Sequence, residues 1–211
     1  MIYEQTMSRL KSFKKIYTKD IDQIAKEYIK DEIDVSELFS HISENGALHR
    51  IYFVVSLKQI KDYEKQIEFI EKHFSSLCDW WHVDILNQLL VKPVSFAYVF
   101  QKAKQYVDAN LLFVRRWGYV IFLNGMQKNP QNTKQILRLM HNDNEYYVQM
   151  AEAWLIADLA IYNPEVVLEY LSSRKLDYRI IGKAIQKICD SYRISDEVKV
   201  QAKNCRKLYK E

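Results

Sequence analysis

Four glycines and three prolines are spread over 211 residues, and this scarcity of chain breakers is the tightest constraint on the fold. Average usage would supply several times as many. A chain so poor in turn formers, and so rich in Leu, Ile, Lys, Glu and Gln, reads as mostly helix. No stretch shows the bounded alternation of a strand. The apolar fraction of 48% is enough for a folded core.

Helix punctuation recurs along the chain. Asp20 and Asp34 read as N-caps of two early helices, and Gly46 as the residue that closes the second. Further helices are predicted over 48–61, 65–74, 79–90, 94–107, 110–126, 132–140, 144–161, 164–172, 178–192 and 196–209. Pro93, Pro130 and Pro164 fall at or just before helix starts, where a missing N–H costs nothing.

A repeat is visible. Phe113-Val114 and Tyr147-Val148 lie 34 residues apart, each in a long aromatic-rich helix, and another 34 residues reach Gly182. Each long helix follows a shorter one. A helix pair at this period marks an α-solenoid. The consensus residues of TPR and ankyrin repeats are absent, so the expected architecture is all-α and HEAT-like, with a concave, basic face. No linker interrupts it, and one domain over 1–211 is expected.

Composition narrows the function classes. Thirty-one basic and 27 acidic residues give a net charge of +4, which permits a nucleic-acid partner without requiring one. Cys78, Cys189 and Cys205 form neither a disulfide framework nor a CxxC motif, so a reduced, cytoplasmic setting is expected. The first twenty residues are too charged for a signal peptide. No apolar run approaches the roughly 18 residues of a membrane span. His41, His49, His73, His82 and His141 lack metal-ligand spacing, and no metal or cofactor is expected. Glycine-rich nucleotide loops and a GxSxG elbow are absent.

Trp80 and Asp84, four residues apart, share a helix face. The core face of that helix runs through Val83, Ile85, Leu86, Leu89 and Leu90, which leaves Trp80, Asp84 and Asn87 on a more open side. On residue types alone, a core tryptophan and a solvated aspartate are the commoner fate. A tryptophan beside a carboxylate on an open face is instead what a binding surface presents. His82 and Asp84, two apart, face different ways. Trp81 and Trp117 are expected in the core.

The string Trp80-Trp81-His82-Val83-Asp84 resembles the Trp-x-x-Val-Asp segment of the AlkD-like DNA alkylation-repair glycosylases. Two further segments match in order. Phe113-Val114-Arg115-Arg116-Trp117 is similar to the family's aromatic-aliphatic-Arg-Arg stretch. Tyr146-Tyr147-Val148-Gln149-Met150-Ala151-Glu152-Ala153-Trp154, followed by Asn163-Pro164, is similar to its aromatic-pair, Ile-Gln-Lys-Ala-x-x-Trp segment.

The resemblance implies a HEAT-like glycosylase acting on double-stranded DNA with alkylated bases, as a monomer and away from membranes. Asp84 matches the catalytic aspartate. Trp80 and Trp154 match the aromatics that flank the lesion's deoxyribose. Arg116 matches the arginine that holds the DNA backbone, with Arg115 beside it. Arg179, Lys183 and Lys187, at i, i+4 and i+8, make a basic stripe that extends a phosphate track or is only a solvated face. The family implies catalysis without full base flipping, so no deep base pocket is expected. Departures are local. Many relatives carry Arg-Glu where this chain has Ala157 and Asp158, and Met150 replaces a lysine. The stretch ahead of Trp80 is shorter by about one helix or helix pair.

The chemistry fits these residue types. A purine alkylated at N3 or N7 is a cation and a good leaving group, so its departure builds positive charge on the sugar. A carboxylate stabilises that charge and orients water, and indole faces favour a cation. Two other classes stay open: a HEAT-like nucleic-acid-binding protein that breaks no bond, and a protein-interaction scaffold.

Overall fold

The computed structural model describes residues 1–93, 95–173 and 175–209. Among them it is all-α, as the breaker count demands. The residues group into two compact units: 1–78 with 88–93, and 79–87 with 94–211.

The first unit holds α1 (Ile2–Lys11), α2 (Thr18–Lys30), a 3-10 helix (Ser36–His41), α3 (Gly46–Gln59) and α4 (Tyr63–Lys72). Its centre is α3, which buries Leu48, Ile51, Phe53, Val55 and Leu57 on all sides. Gln66, fully buried, binds the 88–93 segment into this unit. Its amide donates to the carbonyls of Leu57, Ile60 and Leu89, and its carbonyl accepts the Val91 N–H at 2.8 Å. All its polar capacity is used, which is what makes a buried amide tolerable.

Punctuation departs from expectation here. Asp20 is the third residue of α2, not its cap, and its carboxylate reaches back to the Tyr17 N–H at 2.9 Å. Gly46 opens a helix rather than closing one, because Asn45 ahead of it accepts the Ala47 N–H at 2.8 Å. Asp34 does accept a turn N–H, that of Ser36, but the helix that follows is 3-10.

The second unit carries the repeat. It contains α5 (Trp80–Asp84), α7 (Phe96–Val107), α8 (Leu112–Val120), α9 (Pro130–Leu137), α10 (Tyr146–Tyr162), α11 (Pro164–Ser172), α12 (Tyr178–Asp190) and α13 (Asp196–Lys207). A four-residue helix, α6 (Leu86–Leu89), follows α5. The predicted start of α7 at Val94 lies outside the described residues. Helices α5, α8, α10 and α12 pack side by side in that order, and α9, α11 and α13 form a second layer against them. This is α-solenoid stacking, and it is why residues 34 apart are neighbours. The Phe113 and Tyr147 rings, one repeat apart, sit 5.7 Å apart at their centres.

Two helices end earlier than their apolar patterns suggest. The 79–90 segment breaks at Ile85, between α5 and α6. The apolar run after Val120 leaves α8 through tight i to i+3 turns, with Leu123 N–H on the Val120 carbonyl at 3.0 Å. That carbonyl also accepts the Asn87 amide, so the break and the early stop are one feature.

Candidate functional site

Helix α5 is capped by Asp79, whose carboxylate accepts the Trp80 N–H at 2.7 Å. It buries Val83 completely and points the opposite face outward. Trp80 is 46% exposed, a large apolar surface left in water. Asp84, one turn further, is half-buried on the same side. Of the neighbours expected in the core, Trp117 is fully buried. Trp81 is only half-buried, its ring edge-on to His82 with centres 4.0 Å apart.

Arg116 comes to Asp84 from the middle of α8. Its Nε donates to Asp84 Oδ1 at 2.9 Å and its Nη2 to Oδ2 at 2.8 Å. Its Nη1 donates to the Tyr147 carbonyl, in the first turn of α10, at 2.6 Å. One guanidinium therefore ties α5, α8 and α10 together in the fork geometry that only arginine provides. Burial pushes the Asp84 carboxyl above the usual carboxylate value, while Arg116 and the Lys187 ammonium pull it back.

Neither arginine of the Arg115-Arg116 pair is a solvated surface charge. Arg115 pairs with Asp143 at 2.6 Å and donates to the carbonyls of Ala109 and Asn110, which fixes the turns before α8 and α10. Burial opposes ionisation of Asp143, but Arg115, the Glu145 N–H and His141 together hold its carboxyl below the usual value.

The stripe on α12 divides. Ile180, Ile181, Ala184, Ile185 and Ile188 face the core, and the basic residues lie opposite. Arg179 is exposed and pairs with Asp177 at 3.0 Å. The Lys183 ammonium sits 4.7 Å from the centre of the Tyr146 ring, a cation–π contact. Lys187 is half-buried, acts on Asp84 electrostatically, and shares a cavity with Trp154. Lys187 is thus common to the surroundings of Asp84 and of Trp154.

That cavity is the part sequence reasoning missed. It has a volume of about 360 Å³ and is lined by Trp154, Ala157, Asp158, Ile161, Lys187, Asp190, Ser191 and Tyr192. Its residues come from α10, α12 and the turn after α12; Trp154, Ala157, Asp158 and Lys187 were singled out in the sequence, but not that they meet around one space. No cluster of ligating side chains fit for a metal occurs among the described residues, and no described helix is long and apolar enough to cross a membrane.

Stacked helix pairs presenting an arginine-held carboxylate beside an exposed indole define a helical-repeat protein with a polar site on one helical layer. The family described as DNA alkylation repair enzyme matches residues 3–188, and the chain belongs to it. Its setting is therefore the repair of alkylated DNA. No curated protein and no solved structure matches the chain at a significant level.

Proposed function

We infer that the chain is a monofunctional DNA glycosylase releasing purines alkylated at N3 or N7. The observation that carries this reading is the Asp84 carboxylate, gripped by Arg116 in two hydrogen bonds, beside the exposed Trp80. A carboxylate fixed in this way meets developing charge on a sugar without reorganising, which is where electrostatic catalysis gains most. Trp80, and Trp154 beyond Lys187, supply electron-rich faces to the same cation. The alkylated base is already activated as a leaving group, so the bond breaks without a general acid, and Asp84 orients the incoming water. Lys183 and Lys187 on α12 would meet the backbone phosphates, with Arg179 at the end of the same ridge.

The test is release of alkylpurine from methylated duplex DNA. Wild type should release it, and Asp84→Asn should slow release by roughly 10²–10³-fold, the scale of removing one electrostatic stabiliser. Equal release by the variant would refute the role of Asp84. Salt-sensitive DNA binding without release would favour a binding protein that breaks no bond.

A further inference from the structure

We propose that the cleft between α9 and α11 is a docking site for an acidic segment of a partner protein that also carries an apolar side chain. The cleft lies in the second helical layer and has a volume of about 410 Å³. Lys134 and Arg138, one turn apart at the end of α9, and Lys175, beyond the end of α11, stand exposed on its rim. Glu169 is the one carboxylate among its lining residues, so the cleft carries a net positive charge. None of these cations is in an ion pair among the described residues. Leu137 and Met140 are almost wholly buried and Val166 is half-buried, which makes the floor apolar.

Helix dipoles do not by themselves account for the rim. Cations near a helix C-terminus are favourable for that reason, and Lys134 and Arg138 fit it. Yet α7 closes on Asp108. The cavity one repeat earlier is lined by Asp108, Asp143 and Glu145, and its arginine, Arg115, is committed to Asp143. The positive charge therefore belongs to this cleft and not to the repeat. The cleft also stands apart from Asp84 and its neighbours. Its Tyr170 is within electrostatic reach of Glu152 on α10, whereas Trp154, two residues on and so about 200° around the same helix, lines the other cavity. An occupant of the cleft leaves Asp84 and Trp154 uncovered.

The combination of walls selects the occupant. A small inorganic anion would meet the cations and leave the floor wet. A purely apolar ligand would leave the charges unused. A chain with successive carboxylates next to a large apolar residue satisfies both, its acidic groups over the rim and its apolar side chain on Leu137, Met140 and Val166. Tyr170 adds a donor. Burial and the nearby Glu152 keep its hydroxyl protonated, the form that donates to a carboxylate. The volume suits a few side chains and not a folded domain, so the occupant is a short segment.

The proposal needs neither Asp84 nor bond cleavage, so binding to the full chain tests it apart from the glycosylase reading. The probe is a fluorescein-labelled peptide of four aspartates followed by leucine and phenylalanine, read by fluorescence anisotropy. It should bind saturably and weaken as salt is raised. A peptide with glycines for its last two residues should bind at least about tenfold more weakly, the scale of leaving one large apolar side chain in water. A peptide with asparagines for its aspartates should bind more weakly still. Lys134→Gln and Lys175→Gln should each weaken the parent peptide about two- to fivefold, the scale of an exposed ion pair. Arg138→Glu should weaken it further, and Glu169→Gln should tighten it, while circular dichroism stays unchanged. No binding, or binding indifferent to these four positions, would overturn the proposal. Displacement of the peptide by adenosine monophosphate or by duplex DNA as readily as by unlabelled peptide would reassign the cleft to phosphate and overturn it as well.

Discussion

Asp84 and Arg116 stand 32 positions apart in the chain and meet through two parallel hydrogen bonds of 2.9 and 2.8 Å. The arginine is almost wholly buried and the carboxylate side chain keeps 21% of its surface. Removing one partner strands the other. Arg116→Met should destabilise the protein by about 2–4 kcal/mol, near the lower end of the cost of breaking a buried pair. The double variant Asp84→Asn/Arg116→Met should recover part of that loss, because no charge is left unpaired. Chemical denaturation of the four proteins gives the coupling energy, and strict additivity would show that the pair is not coupled.

Activity should report the ionisation of Asp84. In the glycosylase reading proposed above its working form is the carboxylate, so the rate must fall as the pH drops through its folded-state value. Burial places that value above the ordinary 3.8 of an aspartate, against the opposing pull of Arg116 and Lys187. The acidic limb of a pH–rate profile should therefore lie above that of a free aspartate. Arg116→Gln removes a stabiliser of the charged form and should move the limb higher still. A limb that stays in place, or moves down, contradicts the assignment.

Gly118 is a point of close approach between α7 and α8. A Cβ built there would lie 2.7 Å from Val107 Cγ1, 2.9 Å from the Val107 backbone nitrogen and 3.2 Å from the Ala103 carbonyl oxygen. A side chain can turn aside, but backbone cannot. Gly118→Ala should cost about 1–3 kcal/mol, the usual range for overpacking. Thermal unfolding measures it. Unchanged stability would mean that α7 shifts freely.

Glu152 is fully buried on α10. One of its oxygens accepts the His141 backbone N–H at 3.1 Å, and the Tyr119 hydroxyl is close enough to favour its charged form. Burial pushes its carboxyl above the ordinary 4.5, against the pull of His141. A folded value above the unfolded one stabilises fully below the unfolded value, and that benefit disappears as pH rises through the folded value. Glu152→Gln carries no such charge. Relative to wild type, it should gain stability with rising pH and show no gain in acid. Urea midpoints across pH distinguish this from a variant that is uniformly weaker.

Much of the second unit was legible because its helices announce themselves. Pro164 at the first position makes α11 run over the predicted 164–172 span, and the 34-residue echo of Val114 in Val148 follows from two helices stacked in one layer. The open placement of Trp80 was readable from helical spacing alone. What stayed hidden depends on distant partners. The break at Ile85 and the end of α8 meet in the Asn87–Val120 hydrogen bond, which local pattern does not encode. Helix α1 carries no strong stop or start signal and was not predicted. The ion pairs of Arg115 and Arg116 were not foreseen, because Asp143 and Asp84 lie 28 and 32 positions away. The cavity beside Trp154 draws its walls from two helices and a turn, so no single window of sequence contains it.

In the proposed function the Asp84–Arg116 pair also bears on the approach to DNA. A lone carboxylate carried toward a polyanion is repelled before any contact forms. Held against a guanidinium, the same carboxylate presents a short dipole of zero net charge, whose field dies away faster with distance than that of an ion. The group most unsuited to meeting phosphate is in this way screened at long range by its own neighbour. Its negative face becomes apparent only within a few ångströms, the distance at which a sugar cation would form.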